Sequence, residues 1–267
     1  MEDFSKVKFD LIVQAGQSNA EGNGRGPATE NIVLSDDVYR LEVNKTVSIV
    51  KDDIFGENLK IEYPKEPFRI VQAQKYIDLN NICADYSISF AYEYEKSCLS
   101  NDRKILVIRA GVGGSGFMKG QWGVGRQLYN KMLEMIDYAL SLNEGNRLVT
   151  FIWHQGEHDA FERNTPDVFE KQLSEMFADI RSKYADLPII TGDFCRDWAD
   201  RHSDMTLPIR KVIRSVTESF NGCFVSSEGL TSNDQVTADA DIIHFSRESQ
   251  YILGKRYFDA YKKITEK

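Results

Sequence analysis

The chain has 267 residues, of which 42% are hydrophobic and 28% are charged, and its net charge is −8. This length is enough for one large domain with its own core. The acidic balance argues against nucleic acid or an anionic membrane as a partner, because both attract a surplus of Lys and Arg.

The sequence predicts neither a signal peptide nor a membrane span. The opening MEDFSKVKFD lacks the apolar core of a signal peptide, and no run approaches the ~18 apolar residues of a membrane span. None of the four cysteines forms a CxxC pair, which indicates free thiols in a reducing compartment and no zinc site of that type. We therefore expect a cytoplasmic protein.

Short apolar runs alternate with helical patterns along the chain. The predicted strands are 8–14, 105–110, 148–154, 188–194 and 222–227. The predicted helices are 86–99, 126–142, 167–184, 208–220 (opened by Pro208) and 247–264. Nearly continuous apolarity is typical of strands buried on both faces. The alternation predicts an α/β fold with a doubly wound parallel sheet of about five strands.

Residues 24–84 do not fit this alternation. They carry mixed charge, Pro64, Pro67 and only weak strand signals such as 68–73. We predict one domain spanning 1–267, with a long insertion at about 24–84 over the sheet edge.

Ser18 lies at the end of the first predicted strand, in GQSN at 16–19. A helix cap, a phosphate cradle and a nucleophile are the three interpretations. A phosphate loop would need a Lys after the glycines, and the GxSxG elbow would need a glycine where Ala20 stands. A cap and a nucleophile remain.

A glycine-rich stretch, GVGGSG at 111–116, follows the second predicted strand. It matches GxGxxG, but a dinucleotide site would need a second strand ~20 residues further on, where a helical pattern stands instead. The alternative is that these glycines bring backbone amides close to a reacting oxygen, as an oxyanion hole requires.

The stretch WHQGEHD at 153–159 follows the third predicted strand. It contains the HxxEH zinc motif, which needs both histidines on one helical face. An apolar strand runs into the motif and Gly156 interrupts it, which argues against a helix. As a loop, the stretch either directs Gln155 and Glu157 into a cleft or is simply a solvated polar segment.

Asp241 precedes His244 by three residues, just before the last predicted helix. A carboxylate at this spacing can turn back onto the imidazole and fix its tautomer. The alternative is a surface or capping histidine.

These four stretches all fall at the carboxyl ends of predicted strands or beside them, where open α/β sheets bind ligands. Together they supply a hydroxyl, a histidine, a carboxylate and backbone amides. These are the groups that serine acyl transfer requires.

At these residues the chain resembles the SGNH-hydrolase superfamily. It is most similar to the carbohydrate acetylesterase branch, which includes the family six acetylxylan esterases and the sialic-acid-specific 9-O-acetylesterases. The matching blocks are GQSN at 16–19, GVGGS at 111–115, WHQGEHDA at 153–160, DIIHFS at 241–246 and ILGKRY at 252–257.

The resemblance implies a flavodoxin-like three-layer α/β/α fold and cofactor-free, metal-free removal of O-acetyl groups from a sugar or oligosaccharide. Ser18 would be the nucleophile, His244 the general base and Asp241 its partner. The oxyanion donors would be the Ser18 amide, an amide of the Gly113–Gly114 pair and the Gln155 side chain. The residues expected to support these loops are Gln17, Asn19 and Glu157. The residues expected to contact the sugar are Arg25, Trp122 and His158.

Two rival functions use the same scaffold. One is a short-chain acyl esterase or thioesterase, and the other is a non-catalytic glycan-binding protein. A lipid acyl site would want a long apolar cleft. The insertion and the residue before it are instead polar, with Asn23, Arg25, Asn31, Asp36 and Asp37, which favours a sugar.

Overall fold

The computed structural model describes residues 3–52, 56–75 and 83–266. After a short 3₁₀ helix at Phe4–Lys6, the strands are β1 (Lys8–Gly16), β2 (Val38–Val43), β3 (Thr46–Asp52), β4 (Gly56–Glu62), β5 (Phe68–Gln72), β6 (Arg103–Arg109), β7 (Arg147–His154), β8 (Ile189–Gly192) and β9 (Cys223–Val225). All five strands expected from the apolar runs are present, as β1, β6, β7, β8 and β9.

Seven strands form the main sheet in the order β5-β2-β6-β1-β7-β8-β9, while β3 and β4 form a separate hairpin. All neighbours in the main sheet are parallel except β2 and β5, which are antiparallel. β1 lies in the middle, between β6 and β7. The carboxyl end of β1 therefore lies at the centre of the row formed by the carboxyl ends of the parallel strands.

The helices are α1 (Ser18–Glu21), α2 (Ser87–Ser97), α3 (Gln127–Ser141), α4 (Glu157–Phe161), α5 (Pro166–Lys183), α6 (Arg196–Arg201), α7 (Ser203–Ser219), α8 (Asp234–Thr237) and α9 (Arg247–Thr265). The apolar faces of α3, α5 and α7 share one core cluster with Leu11 and Val13 of β1. Those of α2 and α9 share the opposite cluster with Ile12. The period-2 alternation of β1 thus buries it between two helical layers, which confirms the α/β/α class.

The expected number of strands was too low. β2 and β5 come from the predicted insertion at 24–84 and extend the main sheet at its edge. Their sequences, VYRLEV and FRIVQ, mix charged and apolar residues because β5 is only partly buried and β2 carries the ion-paired Arg40. Residues 53–55 and 76–82 of the insertion lie outside the described residues.

One helix start was also wrong. α7 begins at Ser203, and Pro208 lies inside it. A proline commonly opens a helix because it lacks an N–H donor, but here the preceding turn forms in spite of it. None of the helices in the described ranges is long and apolar enough to cross a membrane.

Candidate active site

Ser18 is the first residue of α1, two residues after the end of β1, the central strand of the sheet. β1 ends at Gly16, which pairs with His154 and has a φ of +136°. A Cβ on Gly16 would lie 2.0 Å from the His154 carbonyl oxygen, so glycine is required for this approach. The N-cap position of α1 is Gln17, and the Ser18 hydroxyl is not used as a cap. The capping interpretation of Ser18 is therefore wrong.

An unbroken hydrogen-bond chain joins the three predicted catalytic side chains. The Ser18 hydroxyl oxygen lies 2.8 Å from His244 Nε2. His244 Nδ1 lies 2.8 and 2.9 Å from the two carboxylate oxygens of Asp241. Ser18 and His244 are 226 residues apart, and the loop before α9 brings them together. This is the geometry of a nucleophile, a base and a base-orienting carboxylate.

Asp241 has two further partners. Asn233 Nδ2 donates to Asp241 Oδ2 at 2.9 Å, and an Arg25 guanidinium nitrogen lies 3.5 Å from the same oxygen. Burial raises the pKa of Asp241, but hydrogen bonds from Asn233 and His244 outweigh it and hold the pKa below its usual range. Asp241 therefore stays ionised, as an orienting carboxylate must.

The backbone amides of Ser18 and of Gly114 have no acceptor among the residues that the structure describes. The Gly113 amide, in contrast, donates to Glu21 Oε2 at 2.8 Å. Gly113 packs against the nucleophile, since a Cβ placed on it would lie 3.5 Å from Ser18 Cβ. Of the Gly113–Gly114 pair, Gly114 is thus the available donor, because the Gly113 amide already donates to Glu21.

Gln155 is buried at the carboxyl end of β7. Its Nε2 donates to Asp159 Oδ2 at 2.5 Å and makes a longer contact of 3.4 Å with the Ser115 carbonyl oxygen. Asp159 in turn accepts from the amides of Phe117 and Met118, both at 2.9 Å. The Gln155 side chain is therefore held in one orientation. To bind Gln155 Nε2, an oxyanion would have to replace the longer contact with the Ser115 carbonyl oxygen.

Gln17, Asn19 and Glu157 connect the loops around Ser18. Gln17 Oε1 accepts from the His158 amide at 3.1 Å. Asn19 Nδ2 donates to Glu157 Oε1 at 2.9 Å and to the Ile243 carbonyl oxygen at 3.2 Å. Asn19 thus ties the nucleophile turn to both the 157 loop and the histidine loop.

Glu157 is fully buried and contacts His154 rather than His244. Burial raises its pKa, but the His154 imidazole, 3.6 Å away, and the Asn19 amide lower it below its usual range. A buried carboxylate with these partners orders the loop and does not take part in the Ser18–His244 chain.

The predicted sugar contacts differ in their placement. Trp122 is only 1% exposed, donates from Nε1 to the Ser115 hydroxyl at 2.8 Å and packs edge-on against Trp153. It is a core residue, so its assignment to the sugar was wrong. Arg25 is half-exposed beside Asp241, and His158 lies partly exposed next to Gly116, with a pKa lowered by burial.

The zinc motif does not form a metal site. His154 Nδ1 lies 2.6 Å from the Tyr257 hydroxyl in the core, while His158 stands on α4 next to Glu162. Within ranges 3–52, 56–75 and 83–266, no group of three or more His, Cys, Asp or Glu side chains is arranged to hold a metal ion.

Sequence reasoning missed Asn233, Asp159 and Glu21. Asp159 lies in the block WHQGEHDA at 153–160, four residues after Gln155, so a sequence signal for it exists. Asn233 lies in an ordinary loop sequence, and backbone contacts between distant loops, such as the pairing of Ser232 with Phe245, bring it beside Asp241. Glu21 accepts a hydrogen bond from the amide of Gly113, which is 92 residues away in the sequence, so no local pattern indicates this contact.

A three-layer α/β/α fold with a Ser–His–Asp chain at the centre of its carboxyl edge is that of an SGNH-type esterase. Residues 8–263 match the family described as carbohydrate esterase, sialic acid-specific acetylesterase. The chain belongs to this family, and it is a carbohydrate O-acetylesterase.

Solved structures with the same fold share little sequence with the chain. NanS is 18% identical, with 98% of this chain and 99% of NanS covered and a TM-score of 0.73. A carbohydrate acetylesterase of Xanthomonas citri is 15% identical over 96% of this chain and 56% of its own, with a TM-score of 0.59. Axe2, an acetylxylan esterase from Geobacillus stearothermophilus, is 11% identical over 96% of each chain, with a TM-score of 0.52. None of the curated protein sequences matches the chain.

Proposed function

We propose that Ser18 performs the deacetylation through an acetyl-enzyme. His244, oriented by Asp241, takes the Ser18 proton as Oγ attacks the acetyl carbonyl carbon. His244 then gives this proton to the sugar oxygen as the ester bond breaks. A water molecule repeats the two steps, and acetate leaves. The 2.8 Å contact between Ser18 Oγ and His244 Nε2 is the observation that carries this proposal.

The negative charge on the carbonyl oxygen would be met by backbone amides. Ser18 and Gly114 offer theirs, and Gln155 can turn its weaker donor from the Ser115 carbonyl to the oxyanion. Donors fixed before the reaction stabilise the transition state because they need no reorganisation.

We further propose an acetylated sugar or oligosaccharide as the substrate, and no nucleic acid or membrane lipid. The net charge of −8 disfavours polyanionic partners. The family description names sialic acid. O-acetylated sialic acid is therefore the first sugar to examine, with acetylated xylooligosaccharide and 6-O-acetylglucose beside it.

Acetate release by single variants, with EDTA present, tests these roles. We expect Ser18→Ala to lose at least about 1,000-fold in kcat, since the nucleophile carries the reaction. Gln155→Ala should stay folded by circular dichroism, because Asp159 keeps three other donors, and lose about 100- to 1,000-fold. Ser141→Ala, on the exposed side of α3, is the control. Wild-type rates from Ser18→Ala would refute the nucleophile, and wild-type rates from Gln155→Ala would refute the oxyanion role.

The rival functions give different results in the same assay. A short-chain esterase or thioesterase would hydrolyse 4-nitrophenyl octanoate faster than the acetate ester. A glycan-binding protein would bind the sugar esters and hydrolyse none of the esters.

A further inference from the structure

A cavity of about 420 Å³ lies beside the nucleophile turn, at the carboxyl ends of β2 and β6. Glu21 and Gly22, which follow Ser18 on its own turn, and Gly111, which precedes the oxyanion glycines, form the wall nearest Ser18. A Cβ placed on Gly113 would lie 3.0 Å from Glu21 Oε2 and 3.5 Å from Ser18 Cβ. The Glu21 carboxylate, which lines the cavity, and Ser18 therefore both lie next to Gly113.

The far wall consists of ion pairs that neutralise one another. Arg40 contacts Asp85 at 2.8 Å and Glu42 at 3.1 Å, while Arg109 contacts Glu42 at 3.0 Å and Asp85 at 3.3 Å. Burial raises the pKa of both carboxyls, but the two guanidiniums outweigh it, so both stay ionised. The wall thus offers fixed donors and acceptors with no excess of either charge.

Lys45 also lines the cavity. It lies in the turn after β2, and its side chain is 15% exposed. Its ammonium donates to Glu21 Oε1 at 3.1 Å and to the Gly111 carbonyl oxygen at 3.2 Å. An ammonium has three N–H donors, so one remains without an acceptor in the described part of the chain.

We propose that this cavity receives the hydroxyl groups of the sugar that carries the acetyl ester, with Lys45 as one of its donors. The inference rests on the proposed function. Hydroxyls donate and accept at once, so a charge-balanced wall of carboxylates and guanidiniums suits them. Val43 is the one aliphatic side chain in the described lining, so a hydrocarbon chain would find little apolar surface there.

The test compares Lys45→Met with wild type on two kinds of ester. One is the fastest hydrolysed of 9-O-acetyl sialic acid, acetylated xylooligosaccharide and 6-O-acetylglucose, and the other is 4-nitrophenyl acetate, which has no sugar. The ratio of kcat/KM for the sugar ester to that for the nitrophenyl ester should fall by about 10-fold or more, because a charged donor to the sugar is lost.

Lys60→Met is the matched control, because Lys60 lies on β4 of the hairpin that follows Lys45, does not line the cavity, and pairs with Glu62 at the exposed surface. Its ratio should equal that of the wild type. A Lys45→Met ratio within about 2-fold of wild type would overturn the cavity proposal while leaving the esterase intact, since a contact to a charged donor is worth more than that. If the enzyme hydrolyses 4-nitrophenyl acetate but none of the sugar esters, the proposed function fails as well.

Discussion

At the scale of single residues, the orientation of Asp241 depends on Asn233. Asn233 is fully buried, and its Nδ2 donates to Asp241 Oδ2 at 2.9 Å and to the Asn23 carbonyl oxygen at 2.9 Å. Its backbone amide donates to the His244 carbonyl oxygen, also at 2.9 Å. Asn233 thus positions both partners of the Asp241–His244 pair.

We expect Asn233→Ala to lower kcat by about 10-fold, since one hydrogen bond to a charged group is lost. The same loss raises the pKa of Asp241, whose carboxyl then becomes protonated at a higher pH. The rate of the variant relative to wild type should therefore fall further as the pH decreases, which a pH–rate profile measures.

The control is Asn130→Ala, an exposed residue whose amide group donates to the Gly125 carbonyl oxygen. A general folding defect in Asn233→Ala would lower the rate by the same factor at every pH. That outcome would contradict the positioning role.

The grouping of Ser18, Asp241 and His244 could be predicted from sequence because each of them lies in a short motif beside an apolar run. The position of Trp122 could not be predicted, because the local sequence around a tryptophan near a glycine loop is the same whether its side chain faces a sugar or the core. Asn233 could not be found, because its role comes from two loops meeting in space. A short motif in the sequence indicates which chemical groups a site contains. Contacts between residues that are far apart in the sequence leave little local signal.

At the scale of elements, the parallel pairing of β1 with β7 fixes where the turn at Ser18 begins. Gly16 pairs with His154, and the Gln17 amide donates to the His154 carbonyl oxygen at 3.0 Å. Gly16→Ala would force a Cβ to 2.0 Å from that same oxygen. Because backbone atoms cannot move aside, we expect a loss of about 4 kcal/mol or more in the free energy of unfolding.

Gly125→Ala separates crowding from backbone strain. Gly125 also has a positive φ, of +78°, but a Cβ there meets nothing within 4 Å. We expect it to cost only about 1–2 kcal/mol, the cost of a left-handed residue. Urea unfolding of both variants gives the comparison, and equal losses would show that crowding at Gly16 does not matter.

The sheet was predictable where its strands are mostly apolar. β1, β6, β7, β8 and β9 form near-continuous apolar runs, and all were found. β2 and β5 at the edge carry charged residues that satisfy one another, as Arg40 and Glu42 do at 3.1 Å. Apolar periodicity does not report strands of that kind.

At the scale of the whole molecule, buried carboxylates with cationic partners lie at both ends of the sheet. Asp10 at the amino end contacts Arg103 at 2.6 Å and Arg147 at 2.7 Å. Asp85 and Glu42 are paired at the carboxyl end. Burial raises the pKa of each, but the paired arginines lower all three below their usual ranges.

This arrangement predicts an acid-sensitive fold. A carboxyl whose folded pKa lies below its unfolded pKa stabilises the protein above the unfolded value, and this contribution is lost as the pH falls through the folded one. The free energy of unfolding should therefore stay level from about pH 7 to about pH 5 and decrease below that. The midpoint of urea unfolding, measured across this range, should follow it. A midpoint that stays constant down to about pH 3 would contradict the prediction.

The central claim is that Ser18 carries the acetyl group during turnover. The most direct measurement is to mix the enzyme with 4-nitrophenyl acetate, quench in acid within one turnover, and analyse the peptides by mass spectrometry. We predict one acetyl group on the peptide containing Ser18, and none on that peptide from Ser18→Ala. Turnover with the Ser18 peptide unmodified, or undiminished acetate release by Ser18→Ala, would contradict the account.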